Sequence, residues 1–333
     1  MTKLYPLKFE PIIKEKIWGG SVLANEYGKK QGSAVLIGES WEISAVENNL
    51  SVVSNGFLEG NNIAEITEVY MDDLTGEHVY EKYGNEFPLL IKFIEASSDL
   101  SVQVHPDDNT AMEKHGSMGK TEMWYILEAR PGSKIYSGFR QPVTMDAVRK
   151  ALSDDSLPSL LNADYPKKGD VFFTPAGRVH AIGGGITLVE IQQTSDITYR
   201  LYDWNRKDSN GNSRELHIED ALAATDYNAA GPAVIHKVPV ADETVNLVSC
   251  EYFVTNFIRL EGALKKNYGM IDSFVIFICT EGRFTLLWEE GKESAVKGET
   301  ILLPAAIDNV ILTGEPRADI LEVFIKQTEN DIS

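Results

Sequence analysis

Two stretches of this chain follow one pattern. KKGDVFFTPAGRVHAIG (167–183) and VKGETILLPAAIDNVIL (296–312) each run Lys-Gly-acid, a short apolar strand, a proline turn and a second apolar strand. Gly169 to Pro175 and Gly298 to Pro304 have the same spacing, the signature of a repeated supersecondary unit. The second copy lacks the histidine of the first and has Asn309 near its place. Around both copies lie short runs rich in Val, Ile, Phe and Tyr, such as LLIKFIEA (89–96), EMWYILEA (122–129), GITLVEIQQ (185–193) and SFVIFICTEG (273–282). Gly, Pro, Asn and Asp punctuate them, which predicts strands of sandwich or barrel sheets. Helical patterns are fewer, at about 71–84, 142–162 and 216–227, with Thr144 as the N-cap of the second. Scattered among strands, they read as insertions into a β architecture. The small-residue, proline-containing stretch 228–240 separates the two copies and sets expected domains at 1–232 and 233–333.

Charge narrows the partners. The chain has 333 residues and a formal net charge of −19. An acidic surface repels phosphate backbones, so no nucleic acid is expected. An anionic small molecule would need its own local Lys and Arg. The two cysteines, Cys250 and Cys279, form no CxxC pair and read as buried apolar thiols. No apolar run reaches transmembrane length and the N-terminus has no signal-like core, so the expectation is a soluble cytoplasmic protein without a membrane partner.

Of six histidines, His78 and His217 fall in helical patterns where surface positions suffice, His236 is near the linker, and His115 is in a Gly- and Lys-rich loop. His105 and His180 remain. In SVQVHP (101–106) strand parity puts Ser101, Gln103 and His105 on one face and Val102 and Val104 on the other. His180 closes the spacing Gly169-x5-Pro175-x-Gly177-x2-His180. That spacing resembles the second motif of the cupin superfamily, whose jelly-roll barrels use this histidine as a metal ligand. A cupin's first motif supplies two ligands two apart on one strand and a glutamate on the next; Gln103, His105 and Glu122 stand in those places. The resemblance implies a mainly β fold of two cupin barrels in tandem with helical insertions, the second degenerate and without metal ligands. Gln103, His105, Glu122 and His180 offer N and O donors suited to Zn2+ or a similar divalent ion, with a position left open. A single such histidine would read as a buried core residue; the set in motif context favours a metal.

The resemblance is narrower still. Gln-x-His-Pro-Asp (103–107), Lys-x-Glu-Met (120–123), His-Ala-Ile-Gly-Gly-Gly (180–185) and Ser-Asp-Ile-Thr-Tyr-Arg (195–200) follow IWGG (17–20) and GESWEIS (38–44). Together they resemble the type I mannose-6-phosphate isomerases of short bacterial form, from the N-terminus to about Arg206. Longer members carry Asn-His-Lys-Pro-Glu around the glutamate; Met-Gly-Lys-Thr-Glu (118–122) keeps Lys120 and Glu122 only. The resemblance implies interconversion of mannose 6-phosphate and fructose 6-phosphate through a cis-enediol by a monomer or weak homodimer. It also implies Arg200 as the cation beside O1 and O2, Ser101 and Lys120 as holders of the phosphate with Lys120 counted among the catalytic groups, Lys92 as an active-site lysine, and Trp18 and Trp41 as walls. The plain alternative for Arg200 is an ion pair with Asp196 or Asp203. Three groups compete as general base: Glu190, whose apolar flanks predict a raised pKa, Asp196, and a metal-bound water. Two other functions compete: an iron-dependent cupin oxygenase on the same ligands, and a non-catalytic phosphosugar-binding cupin.

Overall fold

The computed structural model describes residues 3–30, 32, 36–207, 211–228 and 234–327. The strands are β1 (Ile12–Gly20), β2 (Ile37–Ile43), β3 (Leu89–Ala96), β4 (Val102–Val104), β5 (Glu122–Ala129), β6 (Ile135–Phe139), β7 (Leu161–Asp164), β8 (Val171–Thr174), β9 (His180–Ile182), β10 (Ile186–Gln193) and β11 (Tyr199–Tyr202), then β12 (Val234–Ile235), β13 (Thr244–Ser249), β14 (Val254–Leu260), β15 (Ala263–Asn267), β16 (Val275–Trp288), β17 (Gly291–Val296), β18 (Thr300–Leu303) and β19 (Asn309–Phe324). The helices are α1 (Val22–Glu26), α2 (Ile63–Thr75), α3 (Glu77–Tyr83), α4 (Asp108–His115), α5 (Met145–Ser153) and α6 (Ile218–Ala224). The fold is mainly β, with the helices inserted between strands.

The sheet β1-β2-β3-β10-β5-β8-β12 faces the sheet β11-β4-β9-β6-β7. A third sheet, β13-β14-β19-β16-β17 with β15 on β19 and β18 on β16, is built from the C-terminal part. The junction expected at 232/233 lies outside the described residues; after it, β12 still pairs with β8, and β13 opens the third sheet.

The strands β3 and β10 are buried along their whole length because both faces are covered. Lys92 and Ile94 face the first barrel's interior with Trp124 and Leu188. Ile91, Phe93, Val189 and Ile191 face outward, into one core shared with Phe257, Phe274, Ile276 and Leu321 of the C-terminal sheet. The C-terminal sheet therefore shares apolar packing with the outer face of β3 and β10. Backbone bonds add to it: Leu7 and Leu302 exchange both amide hydrogen bonds at 2.8 and 2.9 Å, and Ala305 donates to the Leu74 carbonyl at 3.0 Å. Among the described residues, no helix is long and apolar enough to cross a membrane.

The repeat is structural. Gly169 and Gly298 both adopt positive φ, at 89° and 91°, which favours glycine. Gly169 donates to Ile126 and Ile126 to Asp170; Gly298 donates to Cys279 and Cys279 to Glu299, at 2.8 and 2.9 Å in both copies. The second copy is shifted by one residue at the histidine's place. In the second barrel the interior position corresponding to His180 goes to Val310, one residue later, while Asn309 is exposed. Helix limits also differ. The stretch expected at 71–84 is two helices, α2 starting at Ile63 behind an Asn62–Glu65 capping box, with a non-helical Met71 and a break at Gly76. The helix expected at 142–162 stops at Ser153, although Thr144 does cap it, accepting from Ala147 N at 3.2 Å. α4 was not expected; Asp107 caps it.

Candidate metal centre and substrate cavity

Strand register assembles the site. Across the second sheet, Arg200 of β11, Gln103 of β4, His180 of β9 and Ser137 of β6 stand side by side in one row. Across the first sheet, Lys92, Glu190 and Trp124 form a row on the interior face, and Gln192, Glu122 and Thr174 form the next. The two sets of side chains point at each other across the barrel. His105 joins them from just beyond β4.

His105, Glu122 and His180 offer ligand atoms within 4.8 Å of one another, all deeply buried. His180 Nε2 lies 3.2 Å from Glu122 Oε1, and His105 Nε2 lies 3.5 Å from Oε2. Each imidazole donates its Nδ1–H to a backbone carbonyl, His105 to Ile197 and His180 to Arg178, both at 2.8 Å. That fixes the tautomer and leaves each Nε2 with a lone pair. Burial pushes both rings down, His180 to about 4 and His105, with Lys120 adding to the effect, well below the ordinary range. Two neutral nitrogen lone pairs thus face a carboxylate whose oxygens, although near charged groups, make no hydrogen bond. Donor atoms so opposed are satisfied by a cation between them. The Gln103 amide faces His180 Nε2 at 3.3 Å; half a turn of the amide presents its oxygen there instead. The residues therefore fit a divalent ion with a mixed N/O set.

Beside the cluster opens a cavity of about 280 Å3. Lys14, Lys16, Lys92, Lys120, Arg200 and Arg214 line it against Glu39, Glu190 and Asp196, a cationic balance inside an acidic chain. Ser101, Trp18 and Trp41 line it as well.

Glu190 departs from expectation. Burial alone would raise its pKa, but Lys92 at 2.9 Å, the nearby Lys120 and the Trp124 indole N–H, donating at 2.9 Å, bring it down to about 2. It is a held carboxylate, not a poised acid. Lys92 does not reach for water: it donates to Glu190 and, at 2.6 Å, to Gln192. Lys120 lies 3.2 Å from both Glu122 Oε2 and His105 Nε2, at the ligand cluster. Arg200 pairs with neither Asp196 nor Asp203; its Nη1 donates to the Glu215 carbonyl at 2.7 Å. Asp196 is exposed at the cavity mouth. Away from the cavity, His78 is buried and not on the surface, bonded to Asp272 at 3.1 Å.

Sequence reasoning passed over Glu39 and Arg214. Glu39 accepts the Trp41 indole N–H at 2.7 Å and sits 3.4 Å from Lys16. Its signal was available: GESWEI alternates, and Glu39 shares parity with Trp41.

Residues 6–131 match the family described as phosphomannose isomerase type I, catalytic domain, and residues 243–321 match the mannose-6-phosphate isomerase cupin domain. The chain is 36% identical over 315 residues to mannose-6-phosphate isomerase ManA of Bacillus subtilis, covering 93% of this chain and 96% of that one. It is 37% identical over 317 residues to the mannose-6-phosphate isomerase of Streptococcus mutans, with the same coverage. The crystal structure of the mannose 6-phosphate isomerase from Bacillus subtilis superposes with a TM-score of 0.83 at 31% identity, over 96% of this chain and 99% of that one.

Proposed function

The chain belongs to the type I mannose-6-phosphate isomerases, and from that premise we propose that its cavity moves a proton between C1 and C2 of a hexose 6-phosphate through a cis-enediol. The observation that carries this reading is the pairing of an ion-ready His105–Glu122–His180 cluster with a cationic cavity at its side. Gln103, His105, Glu122 and His180 would hold one divalent ion, Zn2+ by the borderline character of the donors. When bound, the ion supplies Lewis-acid polarisation of a sugar oxygen.

The rest is done by the chain's own side chains. Arg200 stands beside Gln103 in the cross-strand row, where its guanidinium offsets negative charge developing on O1 and O2. Lys120, 3.2 Å from Glu122 Oε2 and His105 Nε2, is assigned the same task from the other side, which its position at the cluster supports. Glu190 is ionised and so in the correct state to accept a proton, with Lys92 and Trp124 fixing its position. Trp18 and Trp41 wall the ring and exclude water. Ser101, at the far end of β4 from His105, takes the phosphate.

Incubating the metal-loaded protein with mannose 6-phosphate tests this: fructose 6-phosphate accumulates, and chelation abolishes it. No turnover with zinc, cobalt or manganese supplied overturns the isomerase reading. Binding without turnover would leave a phosphosugar-binding module in its place.

A further inference from the structure

Three guanidinium groups gather around one carboxylate at the edge of the cavity. Asp203, largely buried, accepts from Arg206 Nη2 at 2.7 Å, from Arg214 Nε at 2.8 Å and from Arg214 Nη2. Arg200 lies close enough to both for its own charge to be disfavoured, by burial first and by Arg214 next. Arg206 spends its Nη1 on the Asp99 carbonyl at 2.7 Å and does not line the cavity. Arg200 and Arg214 do line it, with Ser101. Three positive charges facing one negative charge are self-repelling, and an anion placed between them relieves that repulsion.

Register fixes which end of the substrate this is. The strand β4 runs antiparallel to β11, with Gln103 opposite Arg200 and Val102 opposite Tyr202. Moving from His105 towards Ser101 therefore moves from Tyr199 towards Asp203. The ligand cluster and the Asp203–Arg214 pair sit towards opposite ends of one strand pair, as the C1–C2 end and the phosphate end of a sugar phosphate would require. Arg214 grips Asp203 with two nitrogens of its planar fork, which sets the plane of the third. Asp203 takes Nε and Nη2 of that fork, and among the described residues the buried Arg200 Nε makes no hydrogen bond.

We infer that Arg214 is a specificity-determining residue for the substrate's phosphate, held by Asp203 so as to clamp it together with Ser101. The inference rests on the sugar-phosphate reading of the cavity and adds a residue beyond the motifs that suggested it. Asp203 acts through Arg214 and is a positioning residue.

The test is steady-state kinetics on the metal-loaded enzyme. R214Q raises KM for mannose 6-phosphate by about 10- to 100-fold, the worth of a charge-assisted hydrogen bond, and leaves kcat within about threefold. Competitive inhibition by inorganic phosphate weakens by the same factor, while any turnover of unphosphorylated mannose stays the same. D203N raises KM in the same direction by releasing the fork. Unchanged KM and unchanged phosphate inhibition in R214Q overturn the inference. If R214Q does not fold, R214K decides: it keeps the pair with Asp203 but loses the fork, so a KM equal to wild type overturns the inference. If the wild-type protein shows no isomerase activity, thermal stabilisation by inorganic phosphate separates the two questions. A shift present in wild type and lost in R214Q supports the clamp though the isomerase reading has failed; equal shifts overturn the clamp.

Discussion

At the scale of single residues, the site divides into groups that hold an ion and groups that act on a substrate, and substitutions separate them. His180→Ala removes a nitrogen donor whose orientation is fixed by the Arg178 carbonyl. Loss of a group that merely orients a ligand costs about 10- to 100-fold in metal affinity, so loss of the ligand itself should cost at least that. Bound metal, measured by elemental analysis after dialysis, should fall together with activity. Arg200→Ala touches no ligand directly. It should keep its metal and lose about 100-fold in kcat, the usual effect of deleting one charge-stabilising donor; unchanged turnover would remove Arg200 from the mechanism. Much of this was legible beforehand. Parity alone grouped Ser101, Gln103 and His105, and the Gly-Pro-Gly-His spacing supplied the second strand. Depth was not legible. Parity put Lys120 on the cavity side without saying that its amine reaches Glu122. Glu190 was misjudged for a similar reason: its sequence neighbours are apolar, but its register partner is Lys92, nearly a hundred positions away.

At the scale of elements, the clearest dependence is between α3 and the turn joining β15 to β16. α3 has no side-chain cap of its own, since Gly76 precedes it. Asp272 supplies one, accepting from Glu77 N at 2.8 Å and His78 N at 3.0 Å. Asp272→Ala should destabilise the fold by about 1 kcal/mol, as cap removal does elsewhere, readable as a lower urea midpoint. The pH sign follows from the folded-state shift. Burial opposes ionisation of Asp272, but the two amide bonds and the His78 ring outweigh it and hold the carboxyl below its ordinary 3.8. A lowered carboxyl contributes above its unfolded pKa and ceases to as pH falls through the folded one. The difference between wild type and Asp272→Asn should therefore be full at neutral pH and shrink below about pH 4. A difference that grew on acidification would contradict the cap. Such a cap joins residues far apart in sequence, which is why α3 could not be bounded from its own pattern. α5, capped locally by Thr144, could.

At the scale of the whole molecule, the second barrel is a copy of the first with its chemistry replaced. Register puts Phe277 at the place of Trp124, Val275 at that of Glu122, Asn256 at that of Lys92, and Glu322 at that of Glu190. Lys266, opposite Val310, corresponds to Gln103. No metal-ligand set is left among these. Glu322 is retained, nearly inaccessible, and satisfied from within by Tyr268, by Asn256 at 2.7 Å and by Lys266 at 2.8 Å. Lys266→Met should strand that carboxylate and cost about 2–3 kcal/mol, at or below the range for a broken buried pair because Lys266 is partly exposed. Adding Glu322→Gln should recover most of the loss, with KM unchanged in both variants. If the single variant were as stable as wild type, the ammonium would not be needed in the second barrel's interior. The Leu7–Leu302 pairing has a different consequence, one of timing. At about 5–20 residues per second of synthesis, the strand partner of Leu7 leaves the ribosome some tens of seconds after Leu7 itself. Residues 8–10 already have partners at 52–55, but the segment up to Leu7 lacks its strand partner that long, so nascent chains arrested before Leu302 should be cut by protease near residues 3–7, whereas released chains should resist. Leu7, near one end of the sequence, is among the last residues to find its strand partner.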